Sequence, residues 1–185
     1  PRSSLMRSSA ASDVYKRQAI DSAIGDAKII AEDLGIVSPA VRELLAETGY
    51  PGMNIIEFAF DGGPTNSHLP HNYKPNSLVY GGTHDNETVV GYFSSRSAAD
   101  LKYAYKYLGV TKKSEIPAAV LRAAYASVAA IAIFQVQDIL ELGNEARMNT
   151  PSTVGDNWKW RMLKGSLTKK KAKELKELAE FYARL

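Results

Sequence analysis

Three polar groups in this chain directly follow apolar stretches, and they hold the side chains best suited to chemistry. They are Glu32-Asp33 after Lys28–Ala31, Asp61-Gly62-Gly63 after Met53–Phe60, and Thr83-His84-Asp85-Asn86 after Ser77–Gly82. Two carboxylates from different groups, Glu32 and Asp85, suit cleavage of a glycosidic bond. One must be protonated to give its proton to the leaving oxygen, and the other must stay ionised to stabilise or trap the anomeric cation. Glu32 lies at the end of a β-branched apolar run, where desolvation favours the protonated form. Asp85 is flanked by His84 and Asn86, which can hydrogen-bond to sugar hydroxyls. Plainer roles stand beside these. Asp85 can serve as the N-cap of a following helix, and Glu32 and Asp33 as solvated loop acids.

Positioning such groups requires strands that end on one face. Lys28–Glu32, Met53–Phe60 and Ser77–Gly82 read as strands, and Ile131–Val136 as a fourth. Helical patterns fall between them. Ser38-Pro39 offers an N-cap and a Pro at the first helical position, for a helix over 39–48 that stops at Gly49. Residues 86–107 read as helix with a break near 94–97, and residues 117–130 as another helix. Thr168 opens a last helix over 168–185, with Leu175, Leu178, Tyr182 and Leu185 on one face and Lys169–Lys171 on the wet side. This alternation predicts an α/β fold with a parallel sheet, in which ligands bind at the carboxyl ends of the strands. About four strands fit, which is either half of a (β/α)8 barrel or a small open sheet.

Composition narrows the function. The chain has 185 residues and no cysteine, which fits a reducing, cytoplasmic setting and excludes disulfides. No apolar run is long enough to span a membrane. The net charge is +3, yet Arg2, Arg7, Lys16 and Arg17 against Asp13 account for all of it within residues 1–18. The rest is neutral overall, which argues against nucleic acid as a partner. That opening segment is rich in Ser and Arg, as transit peptides are. Its stretch Ser8–Gln18 looks more like translated adapter sequence, so residues 1–18 are expected to be a non-native leader and 19–185 the folded part. His68 and His71 flank Pro70, which breaks the helix a metal pair would need, so no metal site is expected. Trp158, Trp160 and Tyr73 can stack on sugar rings or sit in a core.

Taken in order, a series of motifs resembles the amylomaltase, or 4-α-glucanotransferase, family of the α-amylase superfamily. These are Ile30–Gly35, Gly49–Met53, Phe58–Asp61, His68–Asn72, Thr83–Thr88, Gln137–Leu140, Ala146–Pro151 and Asn157–Arg161. The resemblance runs from about residue 19 to the end. It implies the C-terminal half of a (β/α)8 barrel and a retaining double-displacement transfer of α-1,4-glucan segments between maltooligosaccharides, with no cofactor, no nucleic acid and no membrane. It further implies that Glu32 is the general acid/base and Asp85 the transition-state stabiliser. His84, Phe58, Asn149 and Arg147 would bind substrate. The family's nucleophile motif, Arg-x-Asp-His, does not occur here, and Asp21 and Asp26 lack its context. A chain without it is expected to be inactive alone. A glucan hydrolase of the same superfamily and a non-catalytic glucan-binding module are the alternatives.

Overall fold

The computed structural model describes residues 15–25, 28–35 and 37–184. The chain divides into two units, Pro1–Met53 and Asn54–Leu185.

Among its described residues the first unit contains two helices. Helix α1 covers residues 15–24. Helix α2, Pro39–Thr48, is bounded as its sequence predicts. The Ser38 side chain accepts from Val41 N–H, and Gly49 ends the helix at φ 68°, donating to Leu45 O. The segment 28–34 between them has no regular structure, which corrects the strand expected there. It is tied down locally instead. Ala31 N–H donates to Pro51 O at 3.0 Å, and Asp33 Oδ1 accepts from Met53 N–H at 2.7 Å. A β-branched run makes a strand only where a neighbouring strand satisfies its backbone.

The second unit holds the core. Strand β1, Gly52–Ile55, begins in the first unit and ends in the second; β2 is Ser77–Tyr80 and β3 is Ile131–Ile133. The sheet order is β1-β2-β3, and β2 pairs parallel with β3, Val79 facing Ala132. Three strands therefore stand among the described residues rather than four. The expected strand over Met53–Phe60 ends at Ile55, and Ile56–Phe60 turns into a 3-10 helix. Ile55, Ile56, Ala59 and Phe60 are all buried, a spacing a helical turn satisfies and an alternating strand does not. The expected strand over Ile131–Val136 likewise stops at Ile133, and α6 follows at Val136–Ile139.

Three helices cross from β2 to β3. Helix α3 is Val89–Ser94, with Thr88 as its N-cap. Helix α4 is Ala98–Leu108, opened by a capping box in which the Ser97 and Asp100 side chains take each other's backbone N–H. Helix α5, Ile116–Ala126, is shorter than the sequence suggests and ends at Ser127. Their apolar faces enclose Ile56, Leu69, Val79, Leu101, Ile116 and Val120. Phe60 joins Phe93 (5.8 Å between ring centres) and Tyr107 (5.9 Å). The last helix, α7, is Lys169–Phe181, with Thr168 capping Lys171 N–H. Leu175, Leu178 and Tyr182 are half-buried, whereas Leu185 lies outside the described residues. Lys171 departs from the expected wet side: it is partly covered and reaches Glu141 at 3.1 Å. Among the described residues no helix is long and apolar enough to cross a membrane.

Candidate active site

The loop from Gly81 to Thr88 carries His84 and Asp85 from the end of β2 to the start of α3. Asn86 closes it: its Oδ1 accepts from Thr83 N–H and Oγ1, both at 2.8 Å. Asp85 N–H donates to Thr83 Oγ1 at 3.4 Å. Asp85 is therefore not the helix N-cap; Thr88 takes that role and accepts from Gly91 N–H at 3.0 Å. The Asp85 side chain is left available for other work.

A second loop, after α6, supplies its partners. Asn149 Nδ2 donates to Asp85 Oδ1 at 2.6 Å. The Arg147 guanidinium donates to Asp85 O at 2.8 Å and to Asn149 O at 2.9 Å. Asn149 N–H donates to His84 O at 3.1 Å. His84 Nε2 lies 3.2 Å from Asp85 Oδ1, both side chains about half exposed. Four residues singled out in the sequence, His84, Asp85, Arg147 and Asn149, are thus brought together from loops more than 60 residues apart. A carboxylate held this way by an amide and a locked backbone can face a substrate with its second oxygen. Asp85 Oδ2 makes no hydrogen bond among the described residues.

Beneath this loop lies a pair of buried acids that the sequence reading missed. Glu57 is 1% exposed and Asp138 3%. A Cβ on Gly82 would fall 2.6 Å from Glu57 Oε1, so only glycine lets the loop pass over this carboxyl. Burial above all, then the charges of Asp138 and Glu87, push Glu57 up to about 9, against a weaker pull from Arg147 and Arg96. Burial also raises Asp138 to about 6, partly offset by a hydrogen bond from Val89 N–H at 2.8 Å. Glu57 Oε1 and Asp138 Oδ2 have no partner among the described residues. The available signal was an acid set inside an apolar run, Ile55-Ile56-Glu57-Phe58.

The remaining expected residues behave differently. Glu32 lies on the irregular segment of the first unit and is exposed, so the burial expected to keep it protonated is not found there. Phe58 is exposed on the 3-10 helix, its ring meeting His68 edge-on at 5.5 Å. Asp61 accepts from Tyr92 Oη at 3.3 Å, with Arg96 3.9 Å away. His68 Nδ1 accepts from Ile55 N–H at 3.2 Å, and His71 contacts Tyr107 Oη and Pro64 O. Tyr73 belongs to the core.

The family model described as 4-alpha-glucanotransferase matches residues 6–168. The chain is 43% identical over 170 residues to the chloroplastic/amyloplastic 4-alpha-glucanotransferase of Arabidopsis thaliana, covering 90% of this chain and 30% of that protein. It is 40% identical over 175 residues to the Thermus thermophilus 4-alpha-glucanotransferase, covering 91% and 35%. It also superposes on the amylomaltase from Streptococcus agalactiae in complex with acarbose, with a TM-score of 0.85 and 41% identity, over 91% of this chain and 34% of that one. A Corynebacterium glutamicum amylomaltase, at 20% identity and a TM-score of 0.55, shares the fold. The chain spans about a third of the length of the first three of these proteins and 24% of the last. Across that third, the chain belongs to the 4-alpha-glucanotransferase family.

Proposed function

We propose that this chain is the C-terminal half of a (β/α)8 barrel whose whole length transfers α-1,4-glucan segments between maltooligosaccharides by a retaining mechanism. The observation that carries the reading is the Asp85 carboxylate, gripped by Asn149 and backed by Arg147, in a chain of this family. The half-barrel is supported by the open side of β3, where Ile131 and Ile133 are exposed and, among the described residues, only β2 is paired. A further strand there would cover both.

In this reading Glu32 protonates the glycosidic oxygen while a carboxylate from the preceding part of the protein attacks the anomeric carbon. The C–O bond breaks, the shortened glucan leaves with the proton, and a glycosyl-enzyme ester remains. Glu32 then takes the proton of an acceptor 4-hydroxyl, whose oxygen displaces the ester and remakes the α-1,4 bond. Asp85 stabilises the cationic sugar through both displacements. His84, Asn149 and Arg147 hold that sugar and its loop, and Phe58 offers an apolar surface to the acceptor. Transfer outruns hydrolysis when the acceptor site holds sugar better than water. The protein is placed in a reducing, cytoplasmic compartment, in keeping with its lack of cysteine.

The test is to replace the matching third of the Streptococcus agalactiae amylomaltase with this chain and incubate the fusion with maltotriose. Glucose together with maltodextrins longer than the substrate is expected. Only shorter sugars would make it a hydrolase. No product from a folded fusion, with the unmodified amylomaltase active in parallel, would leave the binding-module reading.

A further inference from the structure

We infer that the indole of Trp158, standing beside the His84 ring, is a platform for one pyranose ring of the glucan next to Asp85. This rests on the glucan reading of the Asp85 cluster and adds a binding residue to it.

Trp158 sits where its own chemistry is poorly served. Its φ is 64°, in the left-handed region that a bulky side chain enters only under strain and that glycine enters freely. Burial does not compensate, because the residue is 53% exposed. A strained, exposed tryptophan contributes little to stability, and strain of this kind gathers where a ligand is gripped.

The loop nevertheless holds it firmly. Trp158 N–H donates to Met148 O at 2.7 Å, between Arg147 and Asn149. The preceding Asn157 accepts from Thr150 N–H at 2.9 Å and donates to Thr153 O at 3.1 Å, which closes the loop from 150 to 157. The ring is thereby carried to His84, with centroids 5.1 Å apart and planes inclined at 38°. One loop thus fixes both the amide that holds Asp85 and the indole beside His84.

The surface this makes is mixed in a telling way. An aromatic face meets the C–H face of a sugar, and polar groups at its rim take the hydroxyls. Here the rim is the His84 ring, with the Asp85 carboxylate 3.2 Å from His84 Nε2. The same carboxylate disfavours a nucleotide, whose phosphate it would repel, and the Arg147 guanidinium is already engaged by Asp85 O and Asn149 O. A neutral polyhydroxylated ring fits, and an anionic one does not.

The experiment uses the 185-residue chain, which has two tryptophans. In a Trp160→Phe background the emission comes from Trp158 alone, and titration with maltoheptaose should change it saturably. Calorimetry should then show Trp158→Gly binding maltoheptaose about tenfold more weakly, with a thermal midpoint no lower than that of the unsubstituted chain, since glycine relieves the φ strain. Trp158→Tyr should stay within about threefold, an aromatic face being retained. Undiminished binding by Trp158→Gly would overturn the platform alone and leave the glucan reading standing. A drop in both midpoint and binding in Trp158→Gly, repeated in Trp158→Tyr, would reassign the residue to structure. Failure of the unsubstituted chain to bind maltoheptaose would take down the platform and the glucan reading of the Asp85 cluster together.

Discussion

The two units of this chain carry the two proposed carboxylates, and they hold them by different means. In the second unit, Asp85 stands on a loop pinned to Arg147 and Asn149 and laid over a continuous core. In the first, Glu32 lies on an irregular segment, and among the described residues the buried hydrophobic side chains begin only at Ile55. Ile20, Ile24, Ile30 and Val41 are all exposed there. A catalytic group is only as precise as the packing behind it. The second unit builds the Asp85 cluster from its own residues. The first holds its acid on local hydrogen bonds such as those of Asp33 and Ala31, and has apolar surface left for further contacts.

The largest effect that would break this contrast is chemical. In the fusion protein, Glu32→Gln should lower the transfer rate by about 10²- to 10⁴-fold, the usual worth of a general acid/base, while glucan binding persists. Loss of binding along with rate would show that Glu32 is a structural or substrate-holding residue instead. Next comes packing. Ile116, fully buried in α5, should cost about 2–5 kcal/mol when cut to alanine, against about 0.5 kcal/mol or less for exposed Val41→Ala in α2. Urea unfolding of the chain reads both, and equal costs would erase the distinction between the units.

A smaller effect sharpens the comparison through pH. Glu57 is pushed up to about 9 in the fold from an ordinary 4.5, so the folded chain keeps a proton that the unfolded chain releases. Its contribution to stability is full below 4.5 and is lost as pH rises through about 9, at no more than about 1.4 kcal/mol per pH unit. Glu57→Gln, permanently neutral, should flatten that decline between pH 5 and 9 in urea midpoints. An unchanged slope would mean that Glu57 ionises normally in the fold. Smallest of all, Asn149→Ala should raise KM and lower kcat of the fusion by about tenfold in combination, through loss of one charge-assisted hydrogen bond to Asp85.

Local chemistry was the legible part of the sequence. Ser38-Pro39 and Gly49 bound α2, and Thr168 starts α7, because caps and stops are decided within a few residues. Non-local facts were less legible. Lys28–Glu32 has strand composition but no strand, and Ile55–Phe60 is an apolar run that folds as a turn of 3-10 helix over the core. Short apolar runs leave that choice to tertiary packing. The site shows the same division. Polar groups after apolar stretches located His84 and Asp85, whereas Arg147 and Asn149 came only through family resemblance. Burial of Glu57 depends on Gly82 passing above it, a contact between residues 25 positions apart that no local pattern contains.

The most direct test of the account is the kinetics of Asp85→Asn in the fusion protein with maltotriose. A transition-state stabiliser acts on the cationic sugar far more than on the bound substrate. Asp85→Asn should lower kcat by at least about 10²-fold, with KM changed by no more than about threefold. A kcat that holds while KM rises would make Asp85 an ordinary substrate contact and contradict the central claim.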